Sequence, residues 1–277
     1  MDLSALGRYN IWLQQRDYSP ATIRKYVRAA EHFFRDTGSP AQPRKECIAT
    51  WRDDLIRRGY TPAGINALLA GVNLYQDFCG NPQGKAKPLK CQRRVFCDAD
   101  RELDRGEYFR LLQAARTTGR KRTLLVLQTL CATGIRVSEL QYITVESLAR
   151  RKAAIRCKGK CREILLPDEL CRRLQKWCAR HRLHAGPVFV TRTGRPLDRS
   201  NIWKEMKALC NGAGVAWKKV FPHNLRHLFA RTFYSIEHDL SKLADVLGHS
   251  SIETTRIYIM ESGVQHERLL NRMHLLL

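Results

Sequence analysis

Acidic residues are scarce in this chain. Its 277 residues hold 26 Asp and Glu against 49 Lys and Arg, leaving a net charge of +23. So basic a surface points first to a polyanionic partner. Long hydrophobic runs are missing as well. No apolar stretch approaches the roughly 18 residues a membrane span needs, and the opening Met1-Asp2-Leu3-Ser4 lacks the basic-then-apolar pattern of a secretory signal. These absences set the expectation of an intracellular, cytoplasmic protein with no transmembrane helix. The ten cysteines include no C-x-x-C pair, and the spacings Cys91/Cys97, Cys157/Cys161 and Cys171/Cys178 fit no common zinc module. They read as reduced thiols that serve packing. There is no fixed-period repeat and no low-complexity tract. The positive charge is spread along the whole chain, which fits a folded surface that wraps a nucleic acid better than a disordered basic arm.

What is present is a helical pattern with clear punctuation. Apolar residues make up 44% of the chain, enough for a real core. Ser19-Pro20 and Thr61-Pro62 each pair an N-cap residue with proline at the first helical position. The first opens a helix with the apolar face Ile23, Tyr26, Val27, Ala30 and Phe33, stopped at Gly38; the second runs from Ile65 to Phe78 and stops at Gly80. With helices around Leu6–Leu13 and Ile48–Ile56, residues 1–82 read as a compact four-helix unit. The run Gly80 to Pro88 is polar, basic and rich in breakers, and marks a linker placed at 83–100. Residues 101–277 form a larger domain, with helices expected at 105–116, 121–133, 168–182, 200–211, 222–235, 239–247 and 250–260. One β-hairpin interrupts them, its strands carrying Ile155 and Cys157, then Ile164 and Leu166. The fold class is therefore mostly α with one small two-stranded sheet, an α+β domain behind a helical N-terminal domain.

Four segments carry the chemistry. In Thr133-Gly134-Ile135-Arg136-Val137-Ser138-Glu139 an arginine follows a helix end, where its planar fork can grip two phosphate oxygens, and Glu139 is placed to hold it. In Pro222-His223-Asn224-Leu225-Arg226-His227, His223 and Arg226 share a helix face. His223 and His227 also have the i, i+4 spacing of a metal pair, but Arg226 between them would repel a cation and no Glu follows His223. His227 reads as a structural, buried histidine. In Gly248-His249-Ser250 through Tyr258, Gly248 closes one helix, Ser250 with Glu253 makes a capping box for the next, and Tyr258 lies two to three turns along it. The hairpin turn Cys157-Lys158-Gly159-Lys160-Cys161 offers a lysine that can reach into a DNA groove. Taken singly, each has an ordinary explanation: a surface arginine with a helical Glu, a packing tyrosine, a solvated basic turn.

Their order and spacing together resemble the tyrosine recombinases, the family of lambda-type integrases and Xer-type recombinases. The resemblance rests on Ala132 to Leu140, His223 to His227 and Leu247 to Tyr258, and spans nearly the whole chain: it implies that residues 1–82 are a DNA-binding core-binding domain and residues 101–277 a catalytic domain. It implies that Tyr258 is the nucleophile and that Arg136 and Arg226 hold the scissile phosphate. It makes His223 the base or proton relay and His249 a further phosphate hydrogen bonder. Lys158 is implied as the acid for the leaving 5′ oxygen, with Lys160 the alternative because the hairpin turn is shorter than the family's commonest form; Glu139 is supporting.

Two arginines suit a reaction that builds negative charge on phosphorus. With no carboxylate cluster for magnesium near these motifs, no metal and no cofactor are expected. A tyrosine hydroxyl, with an ordinary pKa near 10, needs a base and cationic neighbours to attack. The implied outcome is a 3′-phosphotyrosine, a free 5′ hydroxyl and rejoining without ATP. The implied setting is a tetramer on two double-stranded DNA sites, in which the segment 264–277 docks on a neighbouring copy. Integration, excision or resolution for a mobile genetic element would follow. A type IB topoisomerase-like relaxing enzyme and a catalytically idle DNA-binding protein are the competing readings.

Overall fold

The structure is a computed structural model that describes residues 3–38, 43–90, 99–157, 160–249, 251–258 and 271–272. The chain divides into two compact units, Met1–Arg93 and Arg94–Leu277.

The first unit is built from α1 (Leu3–Gln14), α2 (Pro20–Thr37), α3 (Lys45–Arg57) and α4 (Pro62–Phe78). The two Pro-initiated helices start where the sequence puts their caps. Ser19 Oγ accepts from the Thr22 amide at 3.3 Å, and Thr61 Oγ1 accepts from the Gly64 amide at 3.2 Å. Their apolar faces close over two adjoining cores, one around Phe33, Trp51 and Leu69 and one around Tyr9, Leu13 and Tyr75. The start of the expected 83–100 linker is fastened to α4. Asn73 donates to the Ala86 carbonyl at 2.9 Å and accepts from its amide at 3.0 Å, and Asn66 makes the same two bonds with Leu89 at 2.9 and 2.8 Å.

The second unit contains α5 (Arg105–Thr117), α6 (Lys121–Thr133), α7 (Val145–Arg150), α8 (Asp168–Arg180), α9 (Arg199–Lys207), α10 (Cys210–Ala213), α11 (Pro222–Glu237), α12 (Leu240–Leu247) and α13 (Ile252–Arg256). The helix expected over 200–211 is divided into α9 and α10. The sheet is one antiparallel hairpin of β1 (Lys152–Cys157) and β2 (Lys160–Leu165), in register from Lys152 opposite Leu165 to Cys157 opposite Lys160.

Helix α6 runs through the core and buries Val126, Leu127 and Leu130, with α5, α8, α9 and α11 around it. Its buried threonines cost little, because Thr129 and Thr133 donate their hydroxyls to the carbonyls one turn back at 2.8 and 2.6 Å. Gly134 ends α6 in the left-handed region at φ 63°. A β-carbon there would lie 2.4 Å from Phe229 Cδ1, so only glycine lets α11 close on this corner. The described cysteines are free thiols, and Cys171, Cys178 and Cys210 lie in this core.

Candidate active site

Arg226 is the centre of the site. It stands in the second turn of α11 with 1% of its surface exposed. Its guanidinium ties together the ends of two other helices. Nη1 donates to the Gly134 carbonyl at 2.6 Å, and Nη2 donates to the Leu247 carbonyl at 2.8 Å. Both carbonyls belong to helix C-termini, whose partial negative charge suits a buried cation. Burial lowers the Arg226 pKa to about 10, and the Arg136 guanidinium adds to this while Tyr258 opposes it. The Nε of Arg226 is enclosed without a hydrogen-bond partner.

His249 follows the left-handed Gly248 that ends α12. Its Nε2 lies 2.8 Å from Arg226 Nη2 and its Nδ1 lies 2.7 Å from Thr255 Oγ1. A guanidinium only donates, so His249 Nε2 accepts and Nδ1 carries the proton to the Thr255 hydroxyl. Burial, then the charges of Arg226, Arg136 and Arg162, lower the His249 pKa to about 4, which agrees with this neutral tautomer.

Tyr258 closes the site. Sequence spacing placed it along a helix over 250–260, but α13 ends at Arg256 and Tyr258 sits in the turn that follows, its amide bonded to Thr255 O at 3.0 Å. The reason is tertiary: the turn buries the Tyr258 ring to 7% exposure against His249, His223 and His227. The ring stacks on His249 at 5.4 Å and 20°, meets His223 edge-on at 5.5 Å and lies 4.5 Å from His227. The Arg226 guanidinium carbon is 5.8 Å from its centroid. Ser251 rather than Ser250 occupies the N-cap of α13 and makes no side-chain cap bond; Ser250 lies outside the described residues.

His223, at the start of α11, keeps an exposed edge. Partial burial, then His227, Arg226 and Arg136, lower its pKa to about 4 against a smaller opposing pull from Glu102; the exposed edge lets solvent screen part of this. Arg136 is half-exposed, and its amide and Nη1 donate to Glu139 at 2.7 and 3.2 Å. Glu139 is almost fully buried. Its second cation, absent from the sequence-based set, is Arg162 of β2, which donates to Glu139 at 2.6 Å and to the Val246 carbonyl at 3.2 Å. Arg162 thus ties the hairpin to the Arg136 segment and to the end of α12.

The structure therefore gathers Arg226, His249, Tyr258 and His223, and brings the charge of Arg136 onto them. Lys158 and Gly159 lie outside the described residues, and Lys160 is placed only as the β2 partner of Cys157. The segment 264–277 also lies outside them, Asn271 and Arg272 excepted. Sequence reasoning missed Thr255, Arg162 and the partners of His227. His227 Nδ1 is 3.2 Å from Glu102 Oε1, and Glu102 is also held by Arg231. Thr255, Arg162 and Arg231 lie inside or beside the motifs, whereas Glu102 lies far from all of them and carried no sequence signal. Among the described residues, no group of three or more His, Cys, Asp and Glu side chains is placed to hold a metal ion.

Comparison with known proteins returns one family. Residues 101–263, more than half of the chain, match the model of the phage integrase family. The tyrosine recombinase XerA of Pyrococcus furiosus is 26% identical over 279 residues, covering 98% of this chain and 94% of that protein. The tyrosine recombinase XerD of Oceanobacillus iheyensis is 34% identical over 167 residues, and the match covers 56% of each chain, so it spans little more than half of that relative. Among solved structures, a lambda integrase tetramer bound to a Holliday junction shares the fold at a TM-score of 0.70 and 19% identity, covering 92% of this chain and 76% of that one.

Proposed function

Because the chain belongs to the phage integrase family, we propose that it is a site-specific tyrosine recombinase that cuts and rejoins double-stranded DNA through Tyr258. The observation that carries this reading is the convergence on one ring: Tyr258 is stacked on His249, met edge-on by His223 and placed over Arg226.

In the proposed reaction the Tyr258 oxygen attacks the scissile phosphorus. The bond to the 5′ oxygen breaks, and a 3′-phosphotyrosine forms. Arg136 and Arg226 hold the non-bridging oxygens and offset the charge of the pentacoordinate transition state. His223, with its pKa lowered to about 4, is neutral at pH 7 and so free to accept the phenolic proton. His249 accepts from Arg226. An arriving phosphate adds the negative charge that favours its protonation, and it then becomes a donor. Lys158, or Lys160, supplies the proton to the leaving 5′ oxygen. Attack by a 5′ hydroxyl of a second duplex reverses the chemistry and exchanges strands. The energy of the broken bond stays in the phosphotyrosine, so no ATP is consumed.

Four copies on two duplexes is the assembly we assign, with 264–277 as the contact between copies. Removing 264–277 is expected to impair strand exchange more than DNA binding by one copy. The test of the function is to select bound duplexes from a random pool and place two copies of the enriched sequence in one plasmid. Inversion or excision that depends on Tyr258 is the expected result. Relaxation of the plasmid without exchange would move the assignment to a type IB topoisomerase-like enzyme.

A further inference from the structure

The recombinase chemistry assigns no task to His227, yet its ring packs against both Tyr258 and His223. Its ring centroid is 4.5 Å from that of Tyr258 and 4.6 Å from that of His223. On its other side, Nδ1 lies 3.2 Å from Glu102 Oε1, and both side chains are mostly buried. Glu102 is fixed in turn by Arg231, which also donates to the Leu103 carbonyl at 2.7 Å. Burial by itself would raise the Glu102 pKa, but the His227 hydrogen bond and the Arg231 charge overcome it and hold the carboxyl below its usual range. An ionised carboxylate only accepts, so His227 presents Nδ1–H to it, which sets the tautomer and the plane of the imidazole.

The arrangement is a chain of fixed orientations: Arg231 holds Glu102, Glu102 holds His227, and His227 faces the ring of Tyr258. The same ring stacks on His249, which is held by Thr255 and Arg226. We propose that Glu102 and His227 are a positioning pair for the nucleophile, fixing the Tyr258 ring through its contacts with His227 and His249. The proposal rests on the reading of Tyr258 as the nucleophile. It follows the general pattern in which a reacting group is oriented by an imidazole that a third group orients.

The same contacts also have a plainer consequence. Asn224, His227 and Arg231 lie along one face of α11 and fasten residues 101–103 to it. A purely structural staple would affect stability and leave the cleavage rate of bound DNA unchanged; a positioning pair changes the rate itself.

The test uses the full chain and nicked duplexes carrying a sequence enriched by binding to the Tyr258→Phe variant. Single-turnover adduct formation is measured at saturating protein, with the DNA dissociation constant and a thermal melt beside it. His227→Ala is expected to slow adduct formation by roughly 30- to 100-fold, the scale of a misplaced reacting group, with affinity changed by no more than about twofold. Glu102→Leu slows it by about tenfold, and Glu102→Gln, which keeps an acceptor for Nδ1–H, recovers most of that loss. In a His227→Phe background, Glu102→Leu has no further effect, because the ring it would orient no longer bonds to it. Wild-type rates in His227→Ala and Glu102→Leu, or equal losses of binding and rate, would overturn the pair while leaving the recombinase reading intact. Multiplying losses in the double variant would do the same. No adduct from the wild-type protein would instead remove the recombinase reading, and the pair with it.

Discussion

Arg226 is a cation placed at 1% exposure among two helix-end carbonyls and a neutral histidine. Its partners carry only partial negative charge, which leaves the guanidinium with a net positive field, as the proposed contact with a phosphate requires. It also constrains the residues that shape the corner. Gly248 adopts φ 65°, and a β-carbon on it would lie 2.4 Å from Arg162 Cδ. Arg162 is pinned by Glu139 and Val246 and has little room to yield. Gly248→Ala is therefore expected to cost about 1–3 kcal/mol, read as a lower denaturation midpoint. The histidines give a pH dependence. His223 and His249 have folded pKa values of about 4 against the usual 6.5. Between those values the unfolded chain binds protons that the folded chain does not, so stability falls as pH drops from 6.5 towards 4. The depressed Glu102 acts in the same direction below its usual pKa. Denaturant midpoints at pH 7.5, 6 and 5 should decline in that order; a flat or rising series would contradict the assigned environments.

Among the elements, what was legible in the sequence follows local chemistry. Ser19-Pro20 and Thr61-Pro62 start α2 and α4 as their cap chemistry requires, and Gly134 and Gly248 end α6 and α12. The motif spacing also brought Arg226, His249 and Tyr258 to one place. Features decided by distant partners were not legible. The short α7, with its Thr144–Ser147 capping box, has too few residues to show a period. The end of α13 depends on burial of Tyr258, and Glu102 and Arg162 meet their partners from far along the chain. The asparagines of α4 are a similar case. Asn73 replaces a strand partner for Ala86, which is 4% exposed. Asn73→Ala leaves a buried amide and carbonyl unpaired and is expected to cost about 1–3 kcal/mol of stability in the first unit, measured by urea unfolding of the full chain.

For the molecule as a whole, the excess of positive charge is the dominant property. Under the proposed function, a net charge of +23 spread over both units assigns much of the free energy of DNA binding to release of counterions. The logarithm of the affinity should fall linearly with the logarithm of salt concentration. For about 6–10 phosphate contacts the loss between 50 and 200 mM salt is about 10³- to 10⁵-fold. Arg136→Ala should reduce that slope by about one contact, and fluorescence anisotropy titrations at four salt concentrations would measure it.

The central claim is that Tyr258 becomes covalently joined to DNA, and a denaturing gel tests it most directly. The wild-type protein and Tyr258→Phe are incubated with a nicked duplex that both bind, with EDTA present. The account predicts a protein–DNA adduct from the wild type alone, attached at the 3′ phosphate and mapping to Tyr258 by peptide sequencing. Bound DNA with no adduct, or an adduct that persists in Tyr258→Phe, would contradict it.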